Sequence, residues 1–184
     1  MTGLRFLLAG AGIAASFGLC AWPAAAERLA EQAVPGFVVG YEDANAQQTI
    51  REEVPSGETV QDWTRMVTTQ RFPGAASRVS PAAFFETVSS NLARACPGAT
   101  TSEVVTTTRS GHVAAQMRAD CPRLAQTGKP ETFIMLIVVG AEDLHVKQVA
   151  YRRVPTAGDI RWGEEILAAA ALCETGESGR GCRG

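Results

Sequence analysis

Trp63, Arg65, Gln70 and Arg71 are the side chains of this sequence best suited to recognition. They share one stretch, GETVQDWTRMVTTQRF at residues 57–72, where aromatic, cationic and β-branched residues are densest. An indole beside guanidinium groups can hold an anionic or aromatic ligand, or a protein partner, through cation–π and charge-assisted contacts. If the stretch is extended, Trp63, Arg65, Val67 and Arg71 fall on one face. The competing use of Trp63 is as a core anchor with solvated arginines around it. One large aromatic per sheet is ordinary core content, so the core use is expected. Arg65 is expected to be better partnered than Arg71, which adjoins the Phe72-Pro73-Gly74 break.

Other reactive residue types are sparse. There are two histidines, His112 beside Ser110-Gly111 and His145 at the start of an expected strand. Lone histidines at strand ends are usually structural or solvated rather than general bases. The sequence has no G-x-S-x-G elbow, H-E-x-x-H pair or P-loop, and nothing marks a third member that would make Ser110 and His112 a triad. The adjacent carboxylates Glu52-Glu53 and Glu164-Glu165 cannot flank one bond: neighbours on a strand point to opposite faces, and neighbours on a helix do not face each other. A carboxylate pair gathered from distant segments stays open as a hydrolase alternative.

The five cysteines are Cys20, Cys96, Cys121, Cys173 and Cys182. Cys20 lies in an N-terminal leader. Arg5 opens it, an apolar run follows, and Ala24-Ala25-Ala26 ends it with an A-x-A cleavage pattern that makes Glu27 the new N-terminus. Leu19 is too large for a lipoprotein cleavage site. The match of residues 10–15 to a dinucleotide-binding glycine pattern lacks the preceding strand that the motif needs. An exported chain with four remaining cysteines implies disulfides. Three pairings are possible. Cys96–Cys121 and Cys173–Cys182 are expected, the first pinning the middle helix to a hairpin, the second tying the tail to the last helix. No C-x-x-C pair or close Cys–His spacing supports a thiolate zinc site, so neither metal nor cofactor is expected.

With 46% hydrophobic and 20% charged residues the chain can bury a core. Its formal charge is −2, and loss of Arg5 with the leader makes it slightly more acidic. That gives no electrostatic reason for nucleic acid or an anionic membrane as partner.

The elements follow from periodicity and breakers. Residues 27–36 read as a polar lead-in, 37–41 as a strand, 42–45 as a turn, and 47–55 as a strand pairing back on the first. Thr59 and Asp62 suggest a helical turn over 60–63 before a strand to Phe72. Ser80 and Pro81 start a helix that ends near Cys96, with Phe84, Phe85, Val88 and Leu92 as its apolar side. A hairpin turns at Ser110-Gly111. TFIMLIVV reads as a central strand covered on both faces. In LHVKQVAY the alternation changes phase, which suggests a β-bulge near Lys147 and Gln148. Asp159 is expected to cap a last helix over 160–173, with Glu164 and Glu165 near its positive end. The layout is α+β: a signal peptide at 1–26, then one domain at 27–184 with a mostly antiparallel sheet, flanking helices and a short Gly-rich tail.

G-E-T-V-x-x-W-T-R-M-V-T-x-Q, a helix ending in AC-PG, a strand ending in Cys121, GKPETF and a closing ALC resemble a group of small secreted bacterial proteins of uncharacterised function. The order of elements resembles, more distantly, the Mog1/PsbP-like α/β/α sandwich. That resemblance implies a binding or assembly accessory rather than an enzyme. The expectation is therefore a periplasmic or secreted, non-enzymatic binding or accessory module. Its partner would be a small anion or an envelope protein, and it would have no stable membrane insertion after cleavage. The alternative is an envelope hydrolase using dispersed Asp and Glu residues.

Overall fold

TFIMLIVV settles the architecture: every side chain from 132 to 138 is buried, so the sheet around it must be covered on both faces. The computed structural model describes residues 27–30 and 33–174; the expected leader, and the tail with Cys182, lie outside the described residues. The described elements are β1 (Glu27–Leu29), β2 (Phe37–Ala44), β3 (Thr49–Pro55), β4 (Arg65–Phe72), α1 (Pro81–Ala95), β5 (Thr100–Thr101), β6 (Val105–Arg109), β7 (His112–Cys121), β8 (Glu131–Val139), β9 (Leu144–Tyr151), α2 (Ala157–Ala168) and β10 (Leu172–Glu174).

The result is one α+β domain. An eight-stranded antiparallel sheet runs β2-β3-β4-β9-β8-β7-β5, with β6 also paired to β7, and a separate two-stranded sheet joins β1 to β10. Alternation along β8 feeds two cores. Phe133, Met135 and Ile137 pack with Met117, Phe85 and the rest of the α1 side. Ile134, Leu136 and Val138 pack with Leu167 of α2 and with Leu29 and Leu172 of the small sheet.

Local chemistry fixes the element ends. Ser80 accepts the Ala83 N–H at 3.2 Å, with Pro81 opening the helix. Ser110 and Gly111 both have positive φ, 49° and 81°, which suits a two-residue hairpin turn between right-twisted strands. Cys96 and Cys121 form a disulfide with Cα atoms 5.9 Å apart, joining the end of α1 to the end of β7. Closing a 25-residue separation stabilises by about 3 kcal/mol in the chain-entropy model. Such a bond belongs to an oxidising, extracytoplasmic environment. Among the described residues no helix is long and apolar enough to cross a membrane. The expected Cys173–Cys182 bridge has one end outside the described residues.

Several expectations need correction. The lead-in is in part a strand, because Glu27 and Leu29 are buried. β2 continues past Tyr41 to Ala44, and the turn falls at Asn45, whose side chain accepts the N–H groups of Gln47 and Gln48. Residues 59–62 form no helical turn; Thr59 and Asp62 exchange backbone hydrogen bonds in a tight loop. β9 has no bulge: its pairing with β4 and with β8 is continuous. The phase change comes instead from two buried polar side chains, His145 and Lys147, on the face that also carries Val149 and Tyr151. The bulge lies in β2, between Val39 and Tyr41. The last helix starts one turn earlier, with Thr156 as cap and Asp159 completing a capping box, and ends at Ala168 so that Leu172–Glu174 can pair with β1.

Candidate functional site

The register of β4 against β9 sets Arg71 directly opposite His145. β3 places Thr49 on the other side of Arg71. One step along the same face lies a second polar row, Arg51, Thr69 and Lys147. Strand alternation thus gathers cations and hydroxyls from three strands onto one half of the sheet. Lys147 is only 4% exposed and donates to Thr69 Oγ1 at 2.8 Å.

The tight end of the β8–β9 hairpin completes the cluster. Asp143 Oδ2 accepts from Arg71 Nε at 2.6 Å, and its Oδ1 accepts the Gly74 N–H at 2.8 Å. The Glu27 carboxylate sits on the turn itself. It accepts backbone N–H groups from Ala141 (2.7 Å), Glu142 (3.2 Å) and Asp143 (2.7 Å). Successive N–H groups in a turn form an anion-binding concavity. Gly140 makes the fit possible, because an added Cβ would lie 2.1 Å from Glu27 Oε1. His145 Nε2 lies 3.6 Å from that same oxygen, too far for a hydrogen bond, and has no hydrogen-bond partner.

Burial opposes the charge on Glu27, but the three N–H donors and the nearby His145 outweigh it and hold its pKa below the ordinary carboxylate value. For His145 burial is the largest influence. It lowers the pKa against the pull of Glu27 and Asp143, with Arg71 acting in the same sense as burial. In its neutral form an imidazole has one ring nitrogen available as a lone-pair donor. Glu27, Asp143 and His145 each bring one ligand atom, all within 4.8 Å of one another.

Beside this cluster runs a groove of about 600 Å³, lined among others by Thr49, Arg51, Thr69, Gln70, Arg71 and His145. Arg28 of β1 lies along it, and Glu42 and Asp43 add acidic groups. Of the four residues singled out in the sequence, Gln70 and Arg71 are here, and alternation turns the Gln70 side chain away from that of Arg71.

Trp63 and Arg65 are elsewhere and are not neighbours of each other. Trp63 is 5% exposed and packs in the α1-side core, its ring covered by the Arg152 guanidinium at 4.0 Å. Arg65 lies on the opposite face, over the rings of Trp162 (4.8 Å) and Phe37 (5.4 Å). Trp63 precedes β4 and so does not follow its alternation, which is why the expected shared face does not form. Arg65 and Arg71 are both partnered, one by aromatic rings and one by a carboxylate. Ser110 is a clasp: its hydroxyl accepts the Leu172 N–H at 3.0 Å, tying the β6–β7 turn to β10.

Glu27, Asp143, Arg28 and Arg51 carried no motif in the sequence. The one trace of the site was the failure of apolar alternation at His145 and Lys147. A second groove of about 390 Å³, lined in part by Thr107, Arg109, Gln116 and Arg118, lies over β6 and β7. There Arg118 is paired with Asp120 at 2.7 Å.

No protein-family model matches the chain. None of the curated proteins matches it either. Among solved structures the chain is similar to PA94, a Pseudomonas aeruginosa protein of unknown function. The likeness is 13% identity and a TM-score of 0.42, over 68% of this chain and 79% of that one.

Proposed function

We propose that the protein is a non-enzymatic binding or accessory module of the periplasm or the secreted fraction, and that the β2–β3–β4 groove receives an anionic group of its ligand or envelope-protein partner. The observation that carries this is Arg71. Asp143 fastens the guanidinium through Nε, which leaves its two amino groups to meet a carboxylate or phosphate in the fork geometry such anions favour. Its side chain is 28% exposed, so it is held in place yet reachable. Arg28 and Arg51 add positive charge along the groove, while Glu42 and Asp43 disfavour a polyanion such as nucleic acid. A small anion or a zwitterion fits that pattern best.

The accessory role is also what the Mog1/PsbP-like resemblance implies, and a sheet covered by a helix on each face is compatible with it. A hydrolase would need one carboxyl that keeps its proton and a second, ionised one nearby. Glu27 and Asp143 are engaged by N–H and guanidinium donors, and Glu27 is held ionised. Burial does raise the pKa of Glu52 and Glu131, the latter against Arg152, but neither lines the groove.

Amide NMR titration with acetate, phosphate and a free amino acid tests the proposal. Shifts should concentrate at Thr49, Arg51, Thr69 and Arg71, and Arg71→Gln should weaken binding at least tenfold while Arg109→Gln does not. Shifts centred on Arg109 and Arg118, or an unchanged affinity in Arg71→Gln, would overturn it.

A further inference from the structure

Beyond the groove, we infer that Glu27, Asp143 and His145 form a binding site for one divalent transition-metal ion, which ties β1 to the β8–β9 hairpin. The proposal does not depend on what the groove binds. It begins from His145: the residue is 1% exposed, and its Nε2 is buried without a hydrogen-bond partner, 3.6 Å from the Glu27 carboxylate. Leaving a buried polar atom unpaired is costly, and the lone pair of a neutral imidazole is the commonest protein donor to a metal.

The spacing suits an ion. Donors bound tetrahedrally at about 2.1 Å lie about 3.4 Å apart. Nε2 and Glu27 Oε1 are 3.6 Å apart, and one ligand atom from each of the three residues lies within 4.8 Å of the others. Side-chain adjustments of about 1 Å bring the third donor to bonding distance. The carboxylates are oriented as metal-ligating carboxylates usually are, by hydrogen bonds from an outer layer. That layer is the N–H groups of 141–143 for Glu27, and Arg71 with Gly74 for Asp143. Glu27 Oε2 and both Asp143 oxygens each accept one of these bonds and keep a second lone pair for an ion, whereas Glu27 Oε1 already accepts two.

Arg71 offsets one of the two buried carboxylates, and a divalent ion would offset the other with one positive charge to spare, which a bound hydroxide or anion could take up. The groove reaches His145 and Arg28, which brings solvent to the edge of the cluster. One imidazole with two carboxylates favours a borderline ion of the zinc and cobalt class over calcium or magnesium, which take all-oxygen sets.

The test uses the chain freed of metal by a chelator and titrated with Zn²⁺ and Co²⁺. One ion should bind per chain by calorimetry and raise the melting temperature, and Co²⁺ should acquire the visible bands of a low-coordinate site. His145→Gln, shown to be folded by circular dichroism, should lose at least tenfold in affinity, whereas His112→Gln should not. Should His145→Gln fail to fold, the imidazole ¹⁵N signals of the unmodified protein decide: the His145 Nε2 resonance must move on adding Zn²⁺. The proposal is overturned by an unmoved His145 signal, by affinity lost in His112→Gln instead, or by no saturable binding.

Discussion

Gly163→Ala sets helix propensity against packing. Gly163 is buried in the middle of α2, and replacing a mid-helix glycine by alanine ordinarily stabilises by about 1 kcal/mol. Here the added Cβ would lie 2.3 Å from the Tyr151 hydroxyl oxygen and 3.4 Å from both Ile134 Cδ1 and Val149 Cγ1. The hydroxyl cannot easily retreat. Tyr151 has no exposed surface, and its O–H donates to the Asp159 carbonyl at 2.5 Å. Overpacking a core costs about 1–3 kcal/mol, and a strained or lost buried hydrogen bond adds about 1 kcal/mol. Packing therefore wins, with a net loss of about 1–3 kcal/mol. Urea unfolding followed by tryptophan fluorescence reads this directly, since Trp162 lies 6.3 Å from the Tyr151 ring. Each kcal/mol corresponds to about 2–4 °C in melting temperature for a chain of this size. Tyr151→Phe removes the oxygen that the new methyl meets. In the double variant the Gly163→Ala penalty should shrink by about 1–2 kcal/mol, a coupling expected of residues in contact. A Gly163→Ala protein more stable than the parent, or a double variant whose losses simply add, would refute the packing argument.

Trp63→Ala should cost about 3–5 kcal/mol, the range for deleting a buried large aromatic, and also strips the ring from beneath Arg152; an unchanged melting temperature would show that Trp63 is no core anchor. Alkaline pH tests Tyr151, whose pKa is pushed up to about 12 by burial, assisted by Asp159 and opposed by Arg65. A proton held more tightly in the folded state gives stability that is whole below the unfolded pKa near 10 and is lost as pH rises through the folded value. Between pH 10 and 12 the parent should lose roughly 2–3 kcal/mol that Tyr151→Phe does not lose, measured as the difference between their urea midpoints.

Elements set by local chemistry could be read from the sequence. Ser80-Pro81 starts α1, Ser110-Gly111 turns a hairpin, and the unbroken apolar run of β8 demands cover on both faces. The Cys96–Cys121 bridge follows from the same placement of α1 against β7. The site could not be read, because it is made by register. Arg71 meets His145 only once β4 has paired with β9, and Glu27 reaches Asp143 across most of the chain. The polar lead-in concealed a strand because two buried residues of its three, Glu27 and Leu29, include a charged one. Burying a carboxylate makes sense only beside the turn that neutralises it. Lys147 misled in the same manner: a cation inside a strand looks like a change of phase until Thr69 is seen opposite it.

The pairing of β1 with β10 also imposes an order of events. Among the described strands β1 is the earliest along the chain and β10 the last, so during synthesis β1 lacks its β10 partner until residues 172–174 emerge. The eight-stranded sheet needs neither of them and can close first, whereas joining segments so far apart carries the largest loop-closure cost in the fold. Seating of Glu27 on the 140–143 turn is therefore a late step, and until it occurs the turn presents its three N–H groups, Gly140 and His145 to solvent as a vacant receptor. β1 then acts as a resident ligand, and its arrival records that β10 is in place.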